Sequence, residues 1–256
     1  MKFSKLQIFI LGFFTLFFIS CKREIPQVAG LETELNKFAT VQIFNATVKA
    51  VRNYVYIDGV QVSGSALALG GIFPASAYGI KVTPGIRSVL VKDTLLTTTQ
   101  IPINFSQNFE AGKSYTTFTY DTTTNIKQVT VLNNIVIPID TSARLRFANF
   151  VYNTSALPNV DIYSFRKISG TPIFLNGSPV FTSSTPVFSN IATNTTTNFI
   201  PYPSGLTDTL YVYATGTTSS LIVKQLVTSL VPSRSYTSVY NGSFKGVKAV
   251  STFATY

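Results

Sequence analysis

Ala39-Thr40-Val41-Gln42-Ile43-Phe44-Asn45 alternates apolar and polar side chains with a period of two over its first five positions. That period marks a half-buried strand, because successive side chains leave a pleated backbone on opposite faces. Ala39, Val41 and Ile43 share one face, and Thr40 and Gln42 share the other. Ala143-Arg144-Leu145-Arg146-Phe147-Ala148-Asn149 repeats the pattern 104 residues later. It places Ala143, Leu145 and Phe147 towards a core and Arg144 and Arg146 towards water. Each run closes on an asparagine, Asn45 or Asn149. Asparagine at a strand end characteristically bonds nearby backbone, so both are expected to be structural.

The correspondence continues in the same order. Tyr54-Val55-Tyr56-Ile57-Asp58-Gly59 matches Val160-Asp161-Ile162-Tyr163, which lacks the Asp-Gly turn. Gly79 to Gly85 matches Phe199 to Gly205, and Glu110 to Thr116 matches Val231 to Thr237. The offset grows from 104 to 121, which puts longer loops in the second copy within Ser164 to Asn198. Thr, Val, Ile, Tyr and Phe fill the runs between Gly, Pro, Asn and Asp punctuation, as strands require. Asp58-Gly59, Asn176-Gly177 and Asn241-Gly242 read as hairpin turns, since such dipeptides supply positive φ. No helical pattern is long enough for the crossover of a parallel α/β sheet.

The expected fold is therefore all-β, with two tandem antiparallel Ig-like sandwiches at residues 39–135 and 142–256. Asn133 to Thr141 would be the joint, and each copy has about the 100 residues of such a domain. Phe109 to Tyr115 and Leu230 to Tyr236 share a spacing in which an apolar residue precedes a tyrosine by six positions. Tyr115 and Tyr236 are thus expected to form tyrosine corners, each hydroxyl bonding backbone a few residues upstream.

The N-terminus has a different character. Lys2 and Lys5 precede a fourteen-residue apolar run, Leu6 to Ile19, broken only by Gln7, Gly12 and Thr15 and followed by the small Ser20. A spanning helix needs about 20 apolar residues, so residues 1–20 read as a cleaved signal peptide. Phe18-Ile19-Ser20-Cys21 resembles the lipobox of bacterial lipoproteins, with Phe18 where Leu is usual. The resemblance implies a diacylglyceryl thioether on Cys21, palmitate among its acyl chains, and Cys21 as mature N-terminus. Cys21 is the only cysteine, which leaves no intrachain disulfide. Lipid there would hold the chain to a leaflet without crossing it. Residues 21–38 would be anchor and tether, with Leu31 to Phe38 a short helix or irregular. The expected address is the bacterial cell envelope at the outer membrane, with the leaflet open.

Removing residues 1–20 takes Lys2 and Lys5 from the 20 Lys plus Arg and none of the 10 Asp plus Glu, leaving a net charge of +8. The basic residues are scattered singly or in pairs, without the clustering a nucleic-acid partner needs. There is no His and no Trp, which removes Ser-His-Asp and Cys-His nucleophiles and the usual zinc sites. Among the acidic residues only Glu32 and Glu34 lie close together, behind the anchor. No cofactor or metal site and no enzyme are expected.

Arg146-Phe147-Ala148-Asn149, Tyr56-Ile57-Asp58-Gly59, Val82-Thr83-Pro84-Gly85 and Ala111-Gly112-Lys113-Ser114-Tyr115-Thr116 together resemble the bacterial domain-of-unknown-function family 4397. The likeness covers most of residues 39–256, better in the first copy. It implies exported or lipid-anchored β-domains, often in tandem, and hands over no catalytic or binding residues.

Asp93-Thr94-Leu95, Asp121-Thr122-Thr123 and Asp208-Thr209-Leu210 match an envelope O-glycan acceptor pattern. Thr122 stands out there because its neighbours read as an exposed turn. The 13 Tyr and 21 Phe mostly sit at alternating strand positions, where core packing is the default. The functional expectation is a non-enzymatic binding or adhesion module for a glycan or protein, held to a membrane through Cys21. The alternative is a structural or assembly subunit of a cell-envelope complex.

Overall fold

The computed structural model describes residues 35–256 except 77, 167–173, 176–177, 180–183, 206 and 228–229. The signal, Cys21, most of the tether and the Asn176-Gly177 turn lie outside the described residues. Leu35–Tyr256 is one compact unit. Leu35–Lys37 makes a single 3-10 turn, and no helix among the described residues is long and apolar enough to cross a membrane.

Nine strands make the first half: β1 (Ala39–Asn45), β2 (Asn53–Ile57), β3 (Val60–Gln61), β4 (Ile72–Phe73), β5 (Ile80–Val82), β6 (Gly85–Asp93), β7 (Ile103–Phe109), β8 (Ser114–Tyr120) and β9 (Lys127–Leu132). The second half continues with β10 (Ala143–Tyr152), β11 (Val160–Arg166), β12 (Phe174–Leu175), β13 (Ser178–Pro179), β14 (Phe188–Ile191) and β15 (Thr195–Thr196). It ends with β16 (Ile200–Tyr202), β17 (Asp208–Ala214), β18 (Leu221–Val227), β19 (Ser235–Ser243) and β20 (Lys248–Ala254).

Each half is built on a sandwich of two sheets, and β12 and β13 of the second pair in a separate two-stranded sheet. In the first, β4-β1-β8-β9 with β5 on β1 faces β3-β2-β6-β7. In the second, β15-β10-β19-β20 with β16 on β10 faces β14-β11-β17-β18. Val41, Ile43, Val55, Val89, Val91 and Phe109 fill the first core. Leu145, Phe147, Ile162, Leu210, Val212 and Tyr240 fill the second. The matched segments occupy matched places: β5 pairs Val82 with Ala39, and β16 pairs Tyr202 with Ala143.

One pairing in each half departs from the wholly antiparallel expectation. β1 runs parallel to β8, and β10 runs parallel to β19. Parallel neighbours need a long crossover, usually helical. Here the intervening strands make that excursion, so the sheets are mixed without a crossover helix.

The sheets carrying β1 and β10 pack on each other, making four layers. Phe44, Phe118, Phe150, Ala148 and Val239 are buried in this seam. Phe118 stacks on Phe150 at 4.6 Å and Phe44 on Phe253 at 5.6 Å. Burying each such ring contributes on the order of 2–3 kcal/mol. Arg146, expected to face water, is 2% exposed in the same seam. Alternation put it on the right face of β10, but that face meets another sheet. Its Nε donates to Thr237 Oγ1 (2.8 Å) and its Nη2 to Thr116 Oγ1 (3.0 Å), with the Phe199 ring 4.7 Å away. Burial pulls its pKa down to about 9.

Asp58 and Gly59, at φ 50° and 81°, make the tight turn expected between β2 and β3. Asn241-Gly242 does not make one: both residues lie inside β19, and the turn comes at Phe244 to Val247. Asn241 Nδ2 donates to Val239 O (2.9 Å) and Ser251 Oγ (3.1 Å). A Cβ on Gly242 would collide with Val247 O, so this glycine permits a close strand approach rather than a reversal.

Candidate functional site

Seam-facing positions alternate along β8 as Thr116, Phe118 and Tyr120, and along β10 as Arg146, Ala148, Phe150 and Tyr152. Tyr120 and Tyr152 are the last of each series, and there the two sandwiches part. They leave a groove of about 320 Å³ bounded by Tyr120, Asp121 and Lys127 on one side and Tyr152, Asn153, Thr193 and Asn194 on the other, with Phe150 and Leu157 also lining it. The Tyr120 ring leans on buried Phe150 at 5.3 Å.

Asp121 shapes one wall from the left-handed region, at φ 77°. Its Oδ1 accepts the Thr122 amide (2.8 Å), and its Oδ2 accepts Asn125 Nδ2 (3.2 Å) and Lys127 Nζ (2.9 Å). The carboxylate beside it raises the Lys127 pKa, chiefly through their hydrogen bond, and keeps the ammonium charged. Asn194, at φ 62°, shapes the other wall and donates its amide to Asn149 O (2.6 Å). The hydroxyls of Tyr120 and Tyr152, both half-exposed, have no hydrogen-bond partner among the described residues. The groove therefore offers two free phenols, amide side chains and an ion pair beside an apolar patch. Its chemistry is hydrogen bonding and ring packing.

A second polar cluster is buried in the second sandwich. Asp208 Oδ2 accepts from Ser164 Oγ (2.6 Å), Tyr202 OH (2.6 Å) and Arg166 Nη2 (3.2 Å). Burial, and then the Asp208 charge, pushes the Tyr202 phenol well above its ordinary range. All four groups are tied to one another, so this network holds the sheets together.

The residues singled out from the sequence lie elsewhere. Asn45 is fully buried; its Nδ2 donates to Leu67 O (2.9 Å) and its Oδ1 accepts from Thr47 N and Thr119 Oγ1 (both 3.1 Å). Asn149, also fully buried, makes longer bonds to Ile191 O (3.3 Å) and from Val151 N (3.5 Å). Tyr115 OH accepts the Glu110 amide (3.2 Å), and Tyr236 OH accepts the Val231 amide (3.0 Å), each five residues upstream. Thr122 is half-buried and bridged to Val48, while Thr209 is half-buried in β17. Thr94 is the exposed member of the three, in the loop after Asp93. Cys21 lies outside the described residues.

Sequence reading passed over Tyr120, Tyr152, Asn153 and Asn194. The available signal was an aromatic on the seam face one step past a buried phenylalanine in both copies, Phe118 then Tyr120 and Phe150 then Tyr152.

No protein-family model matches the chain. No curated protein matches it either. Among solved structures it is similar to a family CBM26 module from Eubacterium rectale Amy13K, crystallised with maltoheptaose, at 10% identity and a TM-score of 0.24. The match covers 83% of this chain and 95% of that one. A score that low carries no argument about the strand order or ligand of this chain.

Proposed function

We propose that the protein is a cell-envelope lipoprotein, anchored by lipid on Cys21, that binds a saccharide between Tyr120 and Tyr152 without transforming it. The carrying observation is a groove with two half-exposed tyrosines whose hydroxyls have no partner among the described residues, flanked by amides and Phe150. Sugars present C–H faces and hydroxyl edges together, so they suit ring faces beside hydrogen-bonding side chains. The resemblance to domain-of-unknown-function family 4397 supports the same exported setting.

Titration calorimetry against a panel of neutral and acidic oligosaccharides tests the reading. Tyr120→Ala with Tyr152→Ala is expected to weaken a binding sugar at least about tenfold, as loss of two central aromatics does. Thr94→Ala, outside the groove lining, should leave binding intact. A double variant that binds as tightly as the parent overturns the groove.

The assembly reading is favoured by a different feature. Tyr54, Tyr56, Leu90 and Lys92 stand half-exposed on the open face of β2 and β6. Co-purification with an envelope protein that is lost in Tyr56→Asp, with sugar binding unchanged, would select it.

A further inference from the structure

We propose that the free edge of β7 pairs antiparallel with β7 of a second copy, making the protein a two-fold dimer through its first sandwich. The inference rests on neither the saccharide reading nor the lipid anchor.

β7 ends the order β3-β2-β6-β7 and pairs on one side only, with β6. The register shows which backbone groups that leaves over. Ser88 O accepts the Asp58 amide (2.8 Å) and the Ser88 amide donates to Asp58 Oδ1 (3.0 Å), so Ser88 turns its peptide groups towards β2. Val55 gives the same phase: its carbonyl accepts the Val62 amide (2.9 Å), so Val91, opposite it in β6, turns towards β7. Ser106 lies opposite Ser88, and residues of such an antiparallel pair bond away from each other. Asn104, Ser106 and Asn108 therefore point their N–H and C=O groups out of the edge. Asn108 O accepts Nε2 of its neighbour Gln107 (3.0 Å), and the other groups have no partner among the described residues.

Proteins guard such edges by making them short or charging them. β3, β4 and β15 have two residues each. β18, which holds the place of β7 in the second sandwich, carries exposed Lys224 at its centre. On β20, Gln42 of the first sandwich caps Ala254 O at 2.9 Å. β7 has seven residues with no charge, no proline and no bulge. Beside it β9 edges the facing sheet, and Leu132 there is 40% exposed.

The strand suits its own copy. About a two-fold axis at Ser106, Ser106 meets Ser106, Asn104 meets Asn108, and half-exposed Phe105 lies across from Gln107. Glu110, the first charge beyond the strand, falls opposite Pro102 of the second copy. No like charges oppose, and about six backbone hydrogen bonds can form. The same operation about Lys224 of β18 would set ammonium against ammonium. A two-fold contact of this kind closes at two chains.

Residues 22–256, which contain the whole compact unit, are followed by sedimentation equilibrium from about 1 μM to about 1 mM. A reversible monomer–dimer shift is expected, with amide exchange at Asn104, Ser106 and Asn108 slowed at least about tenfold in the dimer. Ser106→Lys and Ser106→Asp should each stay monomeric, because like charges meet at the axis, and an equimolar mixture of the two should dimerise again. Lys224→Asp, on the matching edge, should leave the equilibrium unchanged. A parent that is monomeric throughout overturns the proposal. So do a dimer that survives both Ser106 variants, a mixture that stays monomeric, and growth beyond two chains. A monomer that instead captures another polypeptide through β7, and loses it in Ser106→Lys, gives the edge to a different occupant and overturns self-pairing.

Discussion

The outward positions of β2 and β6 in the first sandwich are Tyr54, Tyr56, Leu90 and Lys92, all half-exposed, with Lys92 Nζ 4.9 Å from the Tyr56 ring centre. The outward positions of β11 and β17 in the second are Tyr163, Phe165, Tyr211 and Tyr213, none more than 8% exposed; Val160 and Ile162 face the core with Val55 and Ile57, one residue out of step with the sequence match. Tyr163 meets Tyr213 edge-on at 5.9 Å, and Phe165 meets Tyr211 at 6.1 Å. One strand plan thus carries an open face in one copy and a second small core in the other. Alternation identifies the two faces of a strand, but side-chain composition and neighbouring structure decide which of them stay wet. The extra length of the second copy falls between β11 and β16.

The largest expected difference follows from that contrast. Tyr211→Ala should lower stability by about 3–4 kcal/mol, as for other buried aromatic truncations. Tyr56→Ala should cost less than about 1 kcal/mol. Urea unfolding of the two variants checks this, and equal losses would break the comparison.

Arg146 sharpens it, because its face also looked wet and is dry. Arg146→Ala opens a cavity and leaves Thr116 and Thr237 without its hydrogen bonds, at an expected cost of about 2–4 kcal/mol. Arg146→Met fills the space without burying a charge and should be within about 1 kcal/mol of the parent, or more stable. If both substitutions cost the same, the charge is not what burial penalises there.

The asparagine pair tests the copies against each other on a smaller scale. Asn45 makes three bonds within 3.1 Å, and Asn149 makes two longer ones. Asn45→Ala should therefore cost about 2–3 kcal/mol and Asn149→Ala nearer 1. The reverse order in thermal or urea unfolding would contradict the geometry.

The smallest effect concerns acid. The hydrogen bond from Arg52 leads the causes that hold the Asp93 pKa below 3.8. An acid depressed in the folded state stabilises above its unfolded pKa, and that contribution fades as pH falls through the folded value. Asp93→Asn should thus lose a little stability at neutral pH and show a flatter decline below pH 3.8. An unchanged acid limb would place the effect elsewhere.

Much of the architecture was legible. Matching turns and alternating runs located β1, β5 and β8 against β10, β16 and β19, because each copy needs the same reversals. Strand direction was not legible, since a period of two is the same for parallel and antiparallel neighbours. The seam was hidden because Arg144 and Arg146 share a face that solvent or another sheet can cover, and only tertiary packing decides. Asn241-Gly242 misled because glycine serves close approach as well as reversal. The groove was hidden for a simpler reason: Tyr120, Tyr152 and Asn194 converge from three distant segments.

The central claim is that two sandwiches share a dry seam and jointly form the groove at its end. A protease site placed between Ile139 and Asp140, in the exposed joint, tests it most directly. After complete cleavage the two fragments should migrate as one native particle with the mass of the intact chain, and saccharide binding should survive. Fragments that separate without denaturant, each folded alone, would contradict the seam and the groove together.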